Sequence, residues 1–174
     1  MVKPFIFQVV GFQNSGKTTF MNSLIKRIRL KNYEVGTIKH HGHGGKPEIN
    51  EEKDAAKHIQ SGAKVSIVEG DGRLLLQAEK SCWTLEEQIQ IMLSFGLDLL
   101  LIEGHKYADY PKVFIIKNEE DLILINELTN IQVILFRDEI VFPKGLTIPT
   151  FKLNSEESYN WVVQYLERKV IRPE

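Results

Sequence analysis

Apolar runs rich in Val, Ile and Phe alternate along the chain with longer stretches in which apolar and polar residues are mixed. The continuous runs are typical of buried strands, and they predict strands at 4–12, 33–40, 97–104, 112–117 and 131–136. The mixed stretches predict helices at about 17–30, 51–62, 84–96 and 155–170, with a short helix between the last two strands. This alternation favours a mostly parallel sheet covered by helices.

One segment does not fit the alternation. In 64–78, two β-rich runs flank Gly70-Asp71-Gly72, which is typical of an antiparallel hairpin. We therefore expect an inserted β-hairpin after the second helix. Without repeats, low-complexity tracts or a linker in the sequence, residues 1–174 are interpreted as a single domain.

Capping residues mark the ends of several predicted helices. Thr84 precedes the third helix, and Glu87 follows three residues later, which is the spacing of a capping box. Gly62 and Gly96 are placed where the second and third helices should end, and Ser155 precedes the last helix. These residues support the helix boundaries.

A glycine loop lies between the first strand and the first helix. It reads Gly11-FQNS-Gly16-Lys17-Thr18, the spacing of the phosphate-binding Walker A motif. The glycines let the backbone approach a phosphate, the helix N-terminus attracts the anion, Lys17 reaches the β- and γ-phosphates and Thr18 binds Mg²⁺. The sequence thus predicts a P-loop NTPase-like α/β fold with one nucleotide-binding domain over 1–174.

A nucleotide site of this kind needs a second acidic residue for Mg²⁺. Ligands bind beyond the carboxyl ends of parallel strands, and the strand at 97–104 carries Asp98 at its start and Glu103 at its end. Asp98 is five residues earlier, about 16 Å back along an extended strand. We expect Glu103 to hold the ion, the alternative being a strand that simply ends in solvent.

A histidine cluster follows the second strand. Lys39, His40, His41 and His43 should emerge near the phosphates. Three interpretations remain open: contact with phosphates or a charged ligand, a metal site, or ordinary polar loop residues. Asp54 on the next helix is either a further residue facing Mg²⁺ through an ordered water or part of a solvated helix face.

The composition excludes several classes of protein. The net charge of −1 gives no electrostatic case for nucleic acid or a membrane surface. The longest apolar run is interrupted by Asp98 and Glu103, so we expect no membrane span. A single cysteine, Cys82, excludes an internal disulfide, and together with the lack of a secretory signal pattern it suggests a cytoplasmic protein.

Four segments together resemble the molybdopterin-guanine dinucleotide biosynthesis B (MobB) proteins: GFQNSGKTT, TIKHHGH, EKDAAKHIQSGA and LDLLLIEGHKYADYPK. The resemblance runs from Val9 to about Lys117. The glycine loop is shared by many proteins, whereas the other three segments are far more specific in combination. The chain departs from the family pattern at Gly42, which replaces one histidine of a second pair, and at Glu51-Glu52, which replace a Pro-Gly.

The resemblance implies a GTP-binding, dimeric accessory protein with weak GTP hydrolysis. Such proteins assist the molybdopterin guanylyltransferase and so work beside molybdenum cofactor intermediates. The candidate catalytic residues are Lys17 and Glu103, and the candidate Mg²⁺ residues are Thr18, Glu103 and Asp54. The candidate nucleotide contacts are Gly11, Gln13, Asn14, Ser15, Gly16, Lys17, Thr18, Thr19, Lys39, His40 and Gly104.

Two other functions use the same loop. A small-molecule kinase would transfer phosphate from ATP, but 118–154 contains only Arg137 where such kinases usually carry an arginine-rich lid. An interaction module would use the nucleotide only to set a conformation. The sequence contains no Asn-Lys-x-Asp motif for guanine, and the segment LFRDEI suggests Arg137 or Asp138 near a base.

Overall fold

The computed structural model describes residues 3–42, 45 and 54–170. The chain divides into two compact units: Met1–His40 together with Gln88–Glu174, and His41–Glu87. Whether these units belong to one domain, as the sequence suggests, stays a prediction. None of the helices in the described ranges combines the length and apolarity needed to cross a membrane.

The described residues form eight strands and four α-helices. The strands are β1 Phe5–Gly11, β2 Val35–Lys39, β3 Val65–Gly70, β4 Arg73–Ala78, β5 Leu99–Glu103, β6 Lys112–Ile116, β7 Ile131–Phe136 and β8 Thr150–Lys152. The helices are α1 Lys17–Arg29, α2 Asp54–Gln60, α3 Leu85–Met92 and α4 Glu156–Lys169. Two 3₁₀ helices, Leu93–Phe95 and Glu119–Ile125, complete the regular structure of the described ranges.

The first unit is built on one sheet of six strands in the order β2-β5-β1-β6-β7-β8. Every neighbouring pair is parallel. The expectation of a mostly parallel sheet is therefore confirmed. Because β1 lies in the interior of the sheet, the loop that follows it has the ends of other strands on both sides.

Both faces of the sheet are buried, as the continuous apolar runs predict. One face packs against α1 and α4 through residues such as Phe20, Leu24, Val162 and Leu166. The other face packs Val10, Phe114 and Ile134 against Leu124 and Leu128. Strands β5 and β6 are buried along their whole length, which leaves their ends as the places where polar groups can meet a ligand.

The strand at the edge of the six-stranded sheet, β8, is absent from the sequence prediction. It has three residues, all partly or fully exposed, so it lacks an apolar run that a pattern can detect. Its pairing with β7 comes from tertiary contacts: Ile134 N donates to Pro149 O at 2.9 Å, and Leu153 N donates to Phe136 O at 2.6 Å. The predicted short helix before β7 is a 3₁₀ helix.

The second unit contains α2 and the hairpin of β3 and β4. The pairs Val65–Ala78 to Gly70–Arg73 are antiparallel, which confirms the inserted hairpin. Asp71 and Gly72 have φ of 51° and 75°, and this is the left-handed backbone that a two-residue hairpin turn needs. The predicted helix at 51–62 is described from Asp54 onward, since 51–53 lie outside the described residues.

Candidate functional site

The glycine loop joins β1 to α1, as its sequence predicts. Gly16 is the N-cap of α1 and has φ 96°, a backbone conformation that other residues rarely adopt. At Gly11 a Cβ would lie 2.6 Å from Ile115 O and 2.8 Å from Ser15 Oγ. Both glycines are therefore required by geometry: one by its dihedral angle and one by the space around it.

Ser15 has a buried hydroxyl inside this loop. The residue is 1% exposed, and within the described part of the chain its Oγ has no hydrogen-bond partner. A buried polar atom without a partner is costly unless something else satisfies it. The loop thus presents an unused polar group at the place where the motif would put phosphate oxygens.

Lys17 begins α1 and points back over the loop. Its Nζ donates to Phe12 O at 2.6 Å. Burial lowers the pKa of Lys17 below its usual value; the nearby Glu103 carboxylate opposes this effect, and the nearby Lys39 ammonium adds to it. The hydrogen bond to Phe12 holds Lys17 against the backbone of the loop. Lys17 is also close to Glu103 and Lys39, the two residues predicted at the ends of the neighbouring strands.

Thr18, Glu103 and Lys39 meet at one point, although they are far apart in sequence. Thr18 Oγ1 donates to Glu103 Oε1 at 2.9 Å and contacts Oε2 at 3.1 Å. Lys39 Nζ lies 3.2 Å from Thr18 Oγ1 and 3.4 Å from Glu103 Oε1. A hydroxyl and a carboxylate are the oxygen ligands that Mg²⁺ prefers, so this pair fits the ion that the motif implies.

The remaining predicted loop residues take different positions. Gln13, Asn14 and Thr19 are exposed at the loop and on the first turn of α1. Gly104 N donates to Val9 O at 3.1 Å, and a Cβ on Gly104 would lie 3.0 Å from His40 Cβ. Gly104 therefore permits the close approach of the two strand ends, and its own N–H is used within the sheet.

The structure also gives the positions of Asp98 and Asp54, the two other carboxylates considered for the Mg²⁺ site. Asp98 lies at the opposite end of β5 from Glu103, where its Oδ2 accepts a hydrogen bond from Glu34 N at 2.8 Å. Asp54 begins α2 in the second unit and pairs with Lys57 at 3.3 Å. Its predicted role near Mg²⁺ stays a prediction.

The histidine cluster is only partly described. His40 packs against His105, with ring centroids 4.6 Å apart, and His41 belongs to the second unit. His43 lies outside the described residues. Among the residues that the structure describes, no group of three or more His, Cys, Asp or Glu side chains is arranged to hold a metal ion.

Two buried polar residues that sequence reasoning missed hold the segment 104–111. Gln8 is fully buried in β1, and its Nε2 donates to Gly104 O at 3.1 Å and to His105 O at 2.9 Å. Lys112, also fully buried, donates to Ala108 O and Thr129 O at 2.7 Å. Each of these residues could have been found in the sequence as a polar residue within or beside an apolar run.

Burial lowers the pKa of Lys112, with Asp109 opposing the effect. Lys106, within this segment, lies with its Nζ 4.6 Å from the centroid of the Phe12 ring. The segment after Glu103 is therefore anchored by Gln8 and Lys112, and it contacts the glycine loop through Lys106 and Phe12. This anchoring fixes the backbone on which Glu103 is presented.

Arg137 and Leu153 lie near the glycine loop at the ends of β7 and β8. A Cβ built on Gly16 would be 3.0 Å from Leu153 Cδ2 and 3.4 Å from Arg137 Nη2. Arg137 follows β7 and is exposed, and Leu153 follows β8 and is 9% exposed. Asp138 is exposed beside Arg137, and its predicted place near a base stays a prediction.

Comparison with known proteins identifies one family. A family model described as molybdopterin guanine dinucleotide synthesis protein B, MobB, matches residues 6–136. A protein of Bacillus subtilis (strain 168) named as a probable molybdopterin-guanine dinucleotide biosynthesis adapter protein is 39% identical over 169 residues, which is 96% of both chains.

Solved structures agree with the sequence matches. The crystal structure of Bacillus subtilis MobB aligns with a TM-score of 0.77 at 37% identity, covering 91% of this chain and 96% of that one. A MobB homolog from Bacillus stearothermophilus aligns with a TM-score of 0.76 at 30% identity, covering 94% and 98%. The predicted P-loop NTPase-like fold class and the family resemblance are both confirmed.

Proposed function

This chain belongs to the MobB family of molybdopterin-guanine dinucleotide synthesis proteins, and we propose that it is a GTP-binding accessory protein of that pathway with weak Mg²⁺-dependent hydrolysis. The observation that carries the nucleotide part is the contact of Thr18 with Glu103 at 2.9 Å, beside a glycine loop. These two residues are 85 positions apart in sequence and lie at hydrogen-bonding distance. In the proposal they supply oxygen ligands to the Mg²⁺ of a bound triphosphate.

Each residue of the site has a role in this proposal. The backbone of Gly11 to Gly16 surrounds the phosphates, and Ser15 Oγ gains the partner that it lacks among the described residues. Lys17 exchanges the Phe12 carbonyl for phosphate oxygens. Bound Mg²⁺ supplies positive charge beside the terminal phosphates.

Lys39 adds a second cation at this end of the site. It lies 3.2 Å from the Thr18 hydroxyl, so it can contact a terminal phosphate or its leaving group. Glu103, held by the anchored segment after β5, orients the hydroxyl of Thr18. In this proposal the site binds and orients the triphosphate, and the slow hydrolysis is the part that the family resemblance implies.

The pathway role rests on the relatives. Because the Bacillus subtilis relative is named as a biosynthesis adapter protein, we propose that this chain acts beside the molybdopterin guanylyltransferase and molybdenum cofactor intermediates, in the cytoplasm, as a homodimer. The nucleotide that fits this role is GTP, since the pathway attaches a guanine nucleotide. An ATP-dependent small-molecule kinase is the competing assignment.

A nucleotide-affinity panel tests the proposal. Calorimetry with GTP and ATP, each with Mg²⁺, should give tighter binding of GTP, and added guanylyltransferase should change the GTP affinity. Lys17→Ala should abolish tight triphosphate binding and leave the fold intact, because Lys17 is the first residue of α1 and its ammonium contacts the Phe12 carbonyl of the loop rather than the hydrophobic core. Preference for ATP with rapid phosphoryl transfer to a small molecule would favour the kinase, and unchanged GTP affinity of Lys17→Ala would reject the glycine loop as the binding site.

A further inference from the structure

We propose that Lys106, together with the rings of Phe12 and Tyr107, forms a second ligand site beside the glycine loop, for a planar heterocycle that carries a phosphate monoester. This inference rests on the proposed function in placing the terminal phosphate of a nucleotide beside Glu103, and it deepens that function by adding a site for a second small molecule. A phosphorylated pterin is the ligand of this class that the proposed pathway role supplies.

The three side chains form a cluster in which a cation is held between two aromatic rings. Lys106 Nζ lies 4.6 Å from the centroid of the Phe12 ring and 5.2 Å from the centroid of the Tyr107 ring, within the range of cation–π contacts. Both rings are open to solvent, with Phe12 40% and Tyr107 65% exposed. Among the residues that the structure describes, Lys106 forms no ion pair, so its ammonium can take an anionic ligand.

The turn that carries Lys106 and Tyr107 is fixed by contacts around it. Ala108 N donates to His105 O at 2.8 Å, which places Lys106 and Tyr107 at the two central positions of a four-residue turn. His105 has φ 50°, a left-handed conformation that few residues other than glycine adopt and that persists where the surroundings hold it. The buried Gln8 holds it here, because its Nε2 donates to His105 O at 2.9 Å. The cation and the tyrosine ring are thus presented in a preorganised arrangement, which favours binding.

The cluster adjoins the phosphate-binding part of the glycine loop. Phe12 belongs to the loop, and its carbonyl accepts the hydrogen bond from Lys17 Nζ at 2.6 Å. Lys106 follows Glu103 by three residues, at the carboxyl edge of the parallel sheet. A ligand on the cluster therefore lies next to the terminal phosphates of the proposed nucleotide, and the ammonium of Lys106 offsets the repulsion between the two anions.

A planar heterocyclic phosphate matches the chemistry of all three groups. An exposed aromatic ring stacks on the face of a flat heterocycle, and a lysine ammonium is a compact point charge that binds phosphate oxygens. An aliphatic anion would satisfy the cation and leave both rings in water, whereas a neutral planar ring would leave the cation without an anion. The cluster therefore favours a ligand that carries both features.

Fluorescence anisotropy of neopterin monophosphate tests the site, with neopterin as the matched ligand that lacks the phosphate. The full-length protein is first saturated with Mg²⁺ and a non-hydrolysable GTP analogue, so that the glycine loop is occupied. The ester should bind saturably and about fivefold more tightly than neopterin, the upper range of an exposed ion pair. Lys106→Ala should remove this difference, and Lys106→Arg should restore it. Tyr107→Ala should weaken both ligands about fivefold to hundredfold, the range of stacking on one ring, whereas Tyr107→Phe should bind both like the unaltered protein.

Lys152→Ala is the matched control, because it removes an exposed ammonium at the end of β8, three strand spacings from β1, about 14 Å. It should change the affinity of neither ligand. An ester that does not bind the nucleotide-loaded protein, or that binds Lys106→Ala as tightly as the unaltered protein, would overturn the inference while the proposed function stands. If Lys106→Ala weakens the GTP analogue but not the ester, Lys106 belongs to the nucleotide site and the inference is wrong. If the analogue itself does not bind, the proposed function fails, and the same titrations of the nucleotide-free proteins decide the inference.

Discussion

At the scale of single residues, the site depends on a few contacts between groups of opposite or complementary character. Glu103 is 8% exposed and accepts from Thr18 while lying 3.4 Å from Lys39. Its charge is thus partly balanced by the ammonium groups of Lys39 and Lys17 before any ion is considered. A carboxylate in this position repels phosphates when no metal is bound and attracts them through Mg²⁺ when it is.

Replacement of Glu103 by glutamine should separate these two effects. Glu103→Gln keeps the shape of the side chain and removes its charge. The Mg²⁺-dependent part of GTP affinity should fall, whereas the affinity measured in EDTA should hold or rise, because the repulsion is lost. Slow hydrolysis should fall as well, since less positive charge is held beside the leaving phosphate. Titrations of GTP with Mg²⁺ and with EDTA measure both parts.

Asp98→Asn is the matched control. Asp98 is on the same strand, but its carboxylate accepts from Glu34 N at the far end of β5, so its Mg²⁺ dependence should equal that of the unaltered protein. If Asp98→Asn loses the Mg²⁺ effect and Glu103→Gln keeps it, the assignment of the metal site to the Glu103 end is wrong.

At the scale of elements, the start of α3 shows how a local pattern fixes a helix boundary. Thr84 N donates to Glu87 Oε2 at 2.9 Å, and Glu87 N donates to Thr84 Oγ1 at 3.2 Å. This is the reciprocal capping box expected from the sequence. Lys80 also pairs with Glu87. The hydrogen bond from Lys80, followed by that from the Thr84 backbone, lowers the pKa of Glu87 to about 2 from 4.5.

The lowered pKa gives a pH dependence with a definite sign. Because the folded state favours the charged form, the contribution of Glu87 to stability is fully present above pH 4.5, the usual value, and is lost as the pH falls toward about 2. Glu87→Gln replaces the carboxylate by an amide whose oxygen can still accept the capping hydrogen bond, but the negative charge is lost. The difference in free energy of unfolding between the two proteins should therefore shrink across this range in urea titrations.

Thr84→Ala serves as the comparison for this prediction. It removes the other half of the capping box and should cost about 1 kcal/mol. This loss comes from a neutral hydroxyl, so it should persist at low pH as long as the protein remains folded. A Glu87→Gln difference that does not change between pH 5 and pH 2 would contradict the assigned ionic contribution.

At the scale of the whole molecule, the hairpin of the second unit carries apolar surface that the described chain leaves exposed. Val65, Ile67, Val68, Leu74, Leu75 and Leu76 are each between 44% and 63% exposed. Alternate residues of a strand face opposite sides, so both faces of the ribbon are apolar. A two-stranded hairpin with this surface is marginal without a partner, and a second copy of the chain is the partner that the proposed homodimer supplies.

Charges on the hairpin should therefore dissociate the proposed dimer. The double substitution Leu74→Glu with Leu76→Glu places two carboxylates on one face of β4, and light scattering at micromolar concentration should give the mass of a monomer. Val141→Glu changes an apolar residue of the first unit that is 79% exposed, and it should leave the mass unchanged. A monomeric mass for the unaltered protein would reject the hairpin as an interface.

The features that were predictable from the sequence are those encoded within a few neighbouring residues. The glycine loop, the capping box and the turn at Asp71-Gly72 each need particular dihedral angles or hydrogen bonds between residues at most a turn apart. Strands β5 and β6 were also predictable, because their continuous apolar runs indicate strands that are buried on both faces. Counting from such a run to its polar end was enough to place Glu103, rather than Asp98, beside the glycine loop.

Features that join distant segments were decided by the tertiary structure. The strand order and the three-residue β8 depend on backbone pairing between segments whose own patterns are too weak to specify partners. The contact of His40 with His105 and the anchoring by Gln8 likewise arise from packing of separate strand ends. Arg137 reaches Gly16 for the same reason: 121 positions separate them in sequence, and only the assembled parallel sheet brings the end of β7 to the side of the loop.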